Sequence, residues 1–116
     1  MPPASQRYRT EPNAQQQEII ALLELQPHPE GGYYRQTWIE EGAEGRPSGT
    51  CIYFLLKAGE RSHWHRVDAV EIWHHYAGAP LRLIMAETEA GPVEDLVLGP
   101  DLASGARPQG IVPKDW

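Results

Sequence analysis

Short runs of β-forming residues recur along this chain and limit the folds that it can adopt. They are separated by turn signals, and the sequence holds eleven Gly and eleven Pro. Runs at roughly ten-residue spacing indicate an all-β sandwich or barrel, because βαβ units would need helical segments between the strands. The run TCIYFLL is continuously apolar and too short for a typical helix, so we predict that it is a buried strand. Strands are predicted at 33–39, 50–56, 69–76, 81–86 and 93–98.

One amphipathic helix is predicted ahead of the strands, at residues 13–25. Asn13 with Gln16 resembles a capping box at its start. Pro27 and Pro29 are expected to end it, because proline cannot continue a helix. The apolar residues of this segment fall on one helical stripe, formed by Ile19, Ile20, Leu22 and Leu23. Residues 1–12 are polar and without pattern, and we predict that they form a flexible tail.

Length and charge narrow the class of protein. The chain has 116 residues, which predicts one domain large enough to bury a core. The net charge is −6 and the ten basic residues are scattered, so the basic patch expected of a nucleic-acid-binding protein is missing. The N-terminal segment lacks the apolar core of a signal peptide, and no run approaches the length of a membrane span. We therefore expect a cytoplasmic protein that binds neither nucleic acid nor membranes.

The single cysteine, Cys51, excludes an internal disulfide and suits a reducing compartment. It lies within the apolar run CIYFLL. A buried and inert thiol is therefore expected there, rather than a nucleophile.

The segment PHPEGGYYR, residues 27–35, is the first candidate for a functional motif. Gly31 and Gly32 permit positive φ, so the backbone can turn sharply or lie close to another chain segment or a ligand. Arg35, beside a tyrosine, is either an anchor for a carboxylate, a phosphate or a planar ring, or a solvated residue of an edge strand. Alternation along the strand predicts one face with Tyr33, Arg35 and Thr37, and an opposite face with Tyr34, Gln36 and Trp38.

The segment RSHWHRVDAVEIWHHYAG, residues 61–78, holds four of the five histidines. His63 and His65 share a face if the backbone is extended, and two imidazoles with Glu71 form a recurring set of divalent-metal ligands, to which His75 could add. The same residues could instead transfer protons without a metal. A third interpretation is a polar turn in which His63 and Asp68 face water. On the next strand, one face is predicted to carry Glu71, Trp73 and His75, and the other Val70, Ile72, His74 and Tyr76.

Aromatic residues crowd the predicted strands. They either line a ligand pocket or fill the interior of a barrel. The residues concerned are Tyr33, Tyr34, Trp38, Tyr53, Trp64, Trp73 and Tyr76.

The chain resembles the cupin-type family often called cupin 5 over residues 13–116. Three segments carry the resemblance: LELQPHPEGGYYRQTW, TCIYFLLKAGERSHWHRVDAVEIWHHYAGAPLRL and LGPDLASGARPQGIVPKDW. It implies a cupin domain at 13–116 with a double-stranded β-helix (a small jelly roll), a homodimer, and a ligand cavity in the barrel, in a fold similar to that of sugar-nucleotide epimerases. His65 matches the dependable histidine of the family and Glu71 its carboxylate, whereas His63 falls where the family is variable. Tyr33 and Arg35 match the strand that follows the double glycine.

Two departures from the family pattern bear on these expectations. In the metal-binding cupin pattern, four residues at most separate the second histidine from the glutamate, but five separate His65 from Glu71 here. Because a one-residue shift in a strand reverses the face of a side chain, the metal-ligand set does not transfer directly. Family members also continue past the position of Trp116, so the jelly roll is expected to be incomplete at its C-terminal end.

These observations predict a small-molecule-binding cupin protein. An epimerase- or isomerase-like reaction on a carbohydrate-like ligand would use His65 as the base, Glu71 as its orienting group, a tyrosine as the acid and Arg35 as the anchor. The alternatives are a cupin that binds a ligand or metal without catalysis, and a truncated, inactive remnant. The predicted ligand-binding residues are Tyr33, Arg35, Tyr53 and Trp73, with His65 and Glu71 as catalytic residues. A divalent metal is the cofactor considered, with His63, His65, Glu71 and His75 as its ligands.

Overall fold

The structure, a computed structural model, describes residues 12–116, with side chains from Gln15 onward. The predicted tail therefore lies outside the described residues, apart from Pro12. The described chain is mostly β with a single N-terminal helix, which confirms the predicted fold class. Its elements are α1 (Pro12–Leu23), β1 (Gln26–Pro27), β2 (Tyr33–Glu41), β3 (Pro47–Leu55), β4 (Glu71–His74), β5 (Leu81–Ala86), β6 (Val93–Leu98) and β7 (Gln109–Val112), with 3₁₀ turns at Ala43–Gly45 and Leu102–Ser104.

All strand pairs within the sheets are antiparallel. One sheet has the order β1-β2-β3, a second pairs β4 with β7, and a third pairs β5 with β6. The chain divides into two compact units, with the boundary between Trp64 and His65. The first sheet lies in the first unit and the other two sheets lie in the second. No helix among the described residues is long and apolar enough to cross a membrane.

Helix α1 ends at Leu23, before the chain reaches Pro27 or Pro29. Glu24 adopts a left-handed conformation with φ 56. The N–H of Leu25 donates to the carbonyl of Ile20 at 2.9 Å, and the N–H of Glu24 donates to that of Ala21 at 3.3 Å. This pair of bonds is a Schellman motif, which satisfies carbonyls that the helix leaves unpaired. The expected proline stop was wrong, because the chain has already left the helix when it reaches Pro27. The predicted capping box at the other end involves the side chain of Asn13, which lies outside the described side chains.

The double glycine makes the sharp turn that the sequence predicts. Gly31 and Gly32 have φ 105 and 80, values that side chains rarely tolerate. The N–H of His28 donates to the carbonyl of Gly32 at 2.8 Å, and the N–H of Gly31 donates to that of His28 at 3.0 Å. A Cβ on Gly31 would collide with the carbonyl oxygen of Arg61, so the turn packs directly against the segment that follows β3.

Strand β3 is not buried as predicted. Most of its nine residues are exposed, and Cys51 among them is exposed too. The run CIYFLL suits a sheet because its residues are β-forming. Its apolar composition allowed burial, but burial also needs a layer of structure packed on the sheet, which composition does not specify. The expectation of a buried thiol fails for the same reason.

The second unit has a leucine-rich core. Burial alternates along most of β5, and Leu83 opposes Leu96 across the hairpin, so that the leucines of this face point into the core. The buried cluster is formed by Leu83, Met85 and Leu98, with Trp73, Leu81, Leu96, Val112 and Trp116 packed against it. Leu98, with 1% of its surface exposed, is at the centre.

The outer face of β5 and β6 carries an ion pair between Arg82 and Asp95. The hydrogen bond from the Arg82 guanidinium holds the pKa of the Asp95 carboxyl below its usual value. The pair is exposed, so it contributes little to the stability of the fold.

The core leaves no space for a side chain at Gly110 in β7. A Cβ there would lie 2.9 Å from a methyl carbon of Leu83, 2.9 Å from one of Leu96 and 3.0 Å from one of Leu98. We predict that Gly110→Ala lowers the free energy of unfolding by about 1–3 kcal/mol, because three packed leucines must move together. Denaturant unfolding followed by circular dichroism measures the loss. Gly99→Ala is the matched control, since its Cβ would meet its nearest atom at 3.4 Å. Equal stability of the two variants would contradict the prediction.

Candidate ligand-binding face

The pairing of β2 with β3 brings three of the predicted ligand-binding residues together. Arg35 lies opposite Tyr53, and two residues earlier Tyr33 lies opposite Leu55. Directly opposed residues, and residues two apart along a strand, share one face of a sheet. Tyr33, Arg35 and Tyr53 therefore project from the same side of the hairpin.

A register shift between β2 and β3 places Trp38 on the same side as Arg35, although strand alternation predicted the opposite side. The regular pairing is interrupted between Gln36 and Trp38, so that Trp38 lies opposite Cys51. A β-bulge of this kind inserts one extra residue and reverses the face of every residue that follows it. The hydroxyl of Thr37, the extra residue, donates to the carbonyl of Cys51 at 3.3 Å. The predicted face of Trp38 was wrong. We call this side of the sheet the hairpin face; it comprises Tyr33, Arg35, Trp38, Glu40, Gly49, Cys51, Tyr53 and Leu55.

The space around Gly49 supports this assignment independently of the pairing. A Cβ built on Gly49 would lie 2.9 Å from Cζ3 and 3.1 Å from Cη2 of Trp38. Gly49 precedes Cys51 by two residues on β3 and therefore faces the same side. The indole thus lies over the backbone of Gly49. Trp38 remains 48% exposed and Tyr53 38% exposed, so the hairpin face is accessible.

Two basic side chains lie at the hairpin face. Arg35 belongs to it, and Lys57 contacts Tyr33. Nη1 of Arg35 donates to the carbonyl of Leu23 at 3.3 Å and lies 3.7 Å from the carboxylate of Glu24. Cations are favoured at a helix C-terminus, so Arg35 also holds the end of α1. The ammonium of Lys57 donates to the hydroxyl of Tyr33 at 3.4 Å and lies 4.8 Å from the centre of its ring.

His28 is a further residue that the sequence interpretation did not single out. Its Nδ1 accepts a hydrogen bond from the N–H of Glu30 at 2.9 Å. Its ring meets those of Tyr34 and Phe54 edge-on, with centroids 4.8 and 5.5 Å away. It therefore braces the double-glycine turn from the side opposite to the hairpin face. The position of His28 within PHPEGGYYR, three residues before Gly31, was the available signal.

His63 belongs to the first unit and is held by its backbone. Its N–H donates to the carbonyl of Glu30 at 2.7 Å, so the segment that follows β3 is tied to the double-glycine turn. His65 lies in the second unit, exposed, in the segment that precedes β4.

Strand β4 positions Glu71 and Trp73 on one face, as predicted. Glu71 lies opposite Val112 and Trp73 opposite Gly110. Trp73 packs against the leucine core, so its ring is part of the interior of the second unit. Glu71 is half-buried at the start of the strand.

The two neighbouring histidines at the end of β4 have different environments. Nε2 of His75 lies 3.1 Å from the carbonyl of Ala79, and a contact with a carbonyl places the proton on that nitrogen. His74 is exposed, stacks on the ring of Tyr76 with centroids 6.2 Å apart, and lies 3.4 Å from the amide of Gln109. Nε2 of His75 is thus already hydrogen-bonded within the loop that follows β4.

Within the part of the chain that the structure describes, no three His, Cys, Asp or Glu side chains form a group that could hold a metal ion. His63, His65, Glu71 and His75 as metal ligands stay a sequence-based prediction, and no step proposed below passes through a metal.

Comparison with known proteins gives a family and two structural relatives. The model of the family described as "Cupin superfamily (DUF985)" matches residues 17–116. An X-ray structure of a protein from Shewanella oneidensis is 44% identical, with a TM-score of 0.78, and a hypothetical protein from Leishmania major is 31% identical, with a TM-score of 0.74. Each alignment covers 84% of this chain, and they cover 63% and 64% of the two relatives. No curated protein matches the chain. The family match confirms the resemblance and the predicted cupin jelly-roll class.

The exposure of the hairpin face can be tested through its thiol. We predict that Cys51 reacts with a disulfide reagent such as DTNB in the native protein, because its side chain is exposed. The measurement is the absorbance of the thionitrobenzoate that is released per chain in the absence of denaturant. Cys51→Ser is the control for background. Reaction only after unfolding in guanidinium would contradict the structure of this face.

Proposed function

The chain belongs to the DUF985 family of the cupin superfamily, and we propose that it binds a small carbohydrate-like ligand that carries a carboxylate or a phosphate. The ligand lies on the hairpin face. One observation carries this proposal: Arg35 lies directly opposite Tyr53, beside Tyr33, on an accessible side of the sheet. The homodimer implied by the family resemblance is part of the same proposal.

The chemistry of the face suits such a ligand. A guanidinium has five N–H donors, and among the described side chains Arg35 is bonded only through Nη1. Its remaining donors match the two oxygens of a carboxylate or phosphate. Lys57 adds a second positive charge beside Tyr33. Tyr33 and Tyr53 supply apolar ring surface with a polar end, as small-molecule sites usually do.

For a reaction, we propose proton transfer of the epimerase or isomerase type. His65 acts as the base and Glu71 orients it. Such a reaction removes a proton from a carbon beside a carbonyl and returns one to the same or the neighbouring carbon, so the composition of the ligand is unchanged. The exposure of His65 supports its role as a base, since its imidazole is reachable from solvent.

The binding proposal is tested with glucose 1-phosphate and glucuronate as probes. In calorimetric titration, we expect the native chain to bind at least one of them, and Arg35→Ala to bind roughly ten- to a hundredfold more weakly, the loss typical of a hydrogen bond to a charged group. Glu24→Ala is the matched control, because it removes the ion-pair partner of Arg35 and keeps the guanidinium. Light scattering on the same samples measures the mass and tests the homodimer. Failure of both probes at millimolar concentration, or an unchanged affinity in Arg35→Ala, would contradict the proposal.

The catalytic proposal is tested separately, by deuterium exchange. Fructose 6-phosphate in D₂O should exchange the hydrogens beside its carbonyl group faster with the native chain than without it. We expect His65→Ala to lower the enzymatic rate by roughly a hundredfold or more, since a general base typically contributes that much. His74→Ala, an exposed histidine outside the proposed machinery, should exchange at the native rate. Native exchange in His65→Ala would refute the assignment, and binding without any exchange would favour a non-catalytic cupin.

A further inference from the structure

We infer that Trp38 is a ligand-binding residue that stacks on the ring of the ligand, while Arg35 binds its anionic group. This inference rests on the proposed function and makes it more specific: the ligand is a cyclic sugar bearing a phosphate or carboxylate. It gives a role to Trp38, which simple alternation along β2 would place on the side opposite to Arg35.

The register of the hairpin gives the first argument. Because of the bulge at Thr37, Trp38 lies opposite Cys51 and projects from the side that carries Arg35 and Tyr53. Without the bulge, Trp38 would project from the opposite side, with the ring of Tyr34. The extra residue thus adds a large aromatic ring to a face that already holds a cation.

The spacing along β3 gives the second argument. Cys51, which opposes Trp38, and Tyr53, which opposes Arg35, are two residues apart on one strand. Strand geometry separates such positions by about 7 Å. The indole extends from its own backbone position further along the face, over Gly49, on the side away from Tyr53. The ring of the ligand therefore extends along the strand, away from the anionic group that Arg35 binds, and a ligand without a ring gains nothing from the indole.

The environment of the indole gives the third argument. The six-membered part of the ring lies over Gly49, where a Cβ would be 2.9 Å away, so the absence of a side chain there makes room for it. The ring is supported by backbone on one side while 48% of the side chain stays exposed. An aromatic ring held in this way is available to stack on the apolar face of a sugar or on a planar ring.

The test separates the ring from the charge by pairing two phosphate monoesters. Glucose 1-phosphate carries a ring, and glycerol 3-phosphate does not. In Trp38→Ala we expect affinity for glucose 1-phosphate to fall roughly three- to tenfold, the range typical of one aromatic stacking contact, and affinity for glycerol 3-phosphate to stay within about twofold. Ile39→Ala is the matched control, because Ile39 is the next residue on β2, projects from the other side and is 51% exposed.

Two further variants keep the inference testable if Trp38→Ala fails to fold. Trp38→Phe should retain most of the affinity for glucose 1-phosphate. Gly49→Ala, which pushes the indole from its place, should weaken glucose 1-phosphate binding and spare glycerol 3-phosphate. Thermal unfolding of each variant shows whether the fold is intact.

The outcomes distinguish this inference from the proposed function. If Trp38→Ala and Gly49→Ala bind glucose 1-phosphate as the native chain does, while Arg35→Ala does not, the stacking role is refuted and the proposed function stands. Equal losses for both phosphate esters in folded Trp38→Ala would also refute it, because the indole would then act on the charged group. If glucose 1-phosphate does not bind to the native chain, the present inference fails, and glucuronate alone decides the proposed function.

Discussion

The pairing of β2 with β3, with its register shift at Thr37, is the constraint on which the candidate site depends. Before the shift, the two strands alternate regularly and Arg35 opposes Tyr53; after it, Trp38 opposes Cys51. Because a strand has a period of two, one inserted residue exchanges the two faces for the remainder of the strand. The same local irregularity therefore places Trp38 on the side that carries Arg35 and Tyr53.

Glycines make the close approaches that the strands and turns require. At Gly31 the chain turns with positive φ and meets the backbone of the segment after β3, so the double glycine and that segment form one structure in the first unit. In the second unit, Gly110 admits three leucines where any side chain would collide with them. In both cases the close contact is with residues distant in sequence. Only the turn at Gly31 could be predicted from the sequence, because it follows from the freedom of glycine to adopt positive φ.

Two residues of the predicted site make contacts that the sequence did not predict. Arg35 was considered as a ligand anchor, and the structure also gives it the carbonyl of Leu23 and the carboxylate of Glu24. Trp73 was assigned to a pocket, and it packs against the core of the second unit. In each case part of the side chain, a donor of Arg35 or the ring surface of Trp73, is already in contact with residues elsewhere in the chain.

The sequence by itself determined the mostly β class, the single helix, the turn at the double glycine and the strands at 81–86 and 93–98, because propensity, periodicity and glycine chemistry act over a few neighbouring residues. The family motif around PHPEGGYYR was likewise visible in the residues alone. Only the tertiary structure decided the face of Trp38, the exposure of Cys51, the helix stop at Glu24 and the partners of Arg35. A bulge depends on the register of two strands, and exposure depends on what packs over them. Neither property belongs to a single segment, so no local pattern could specify it.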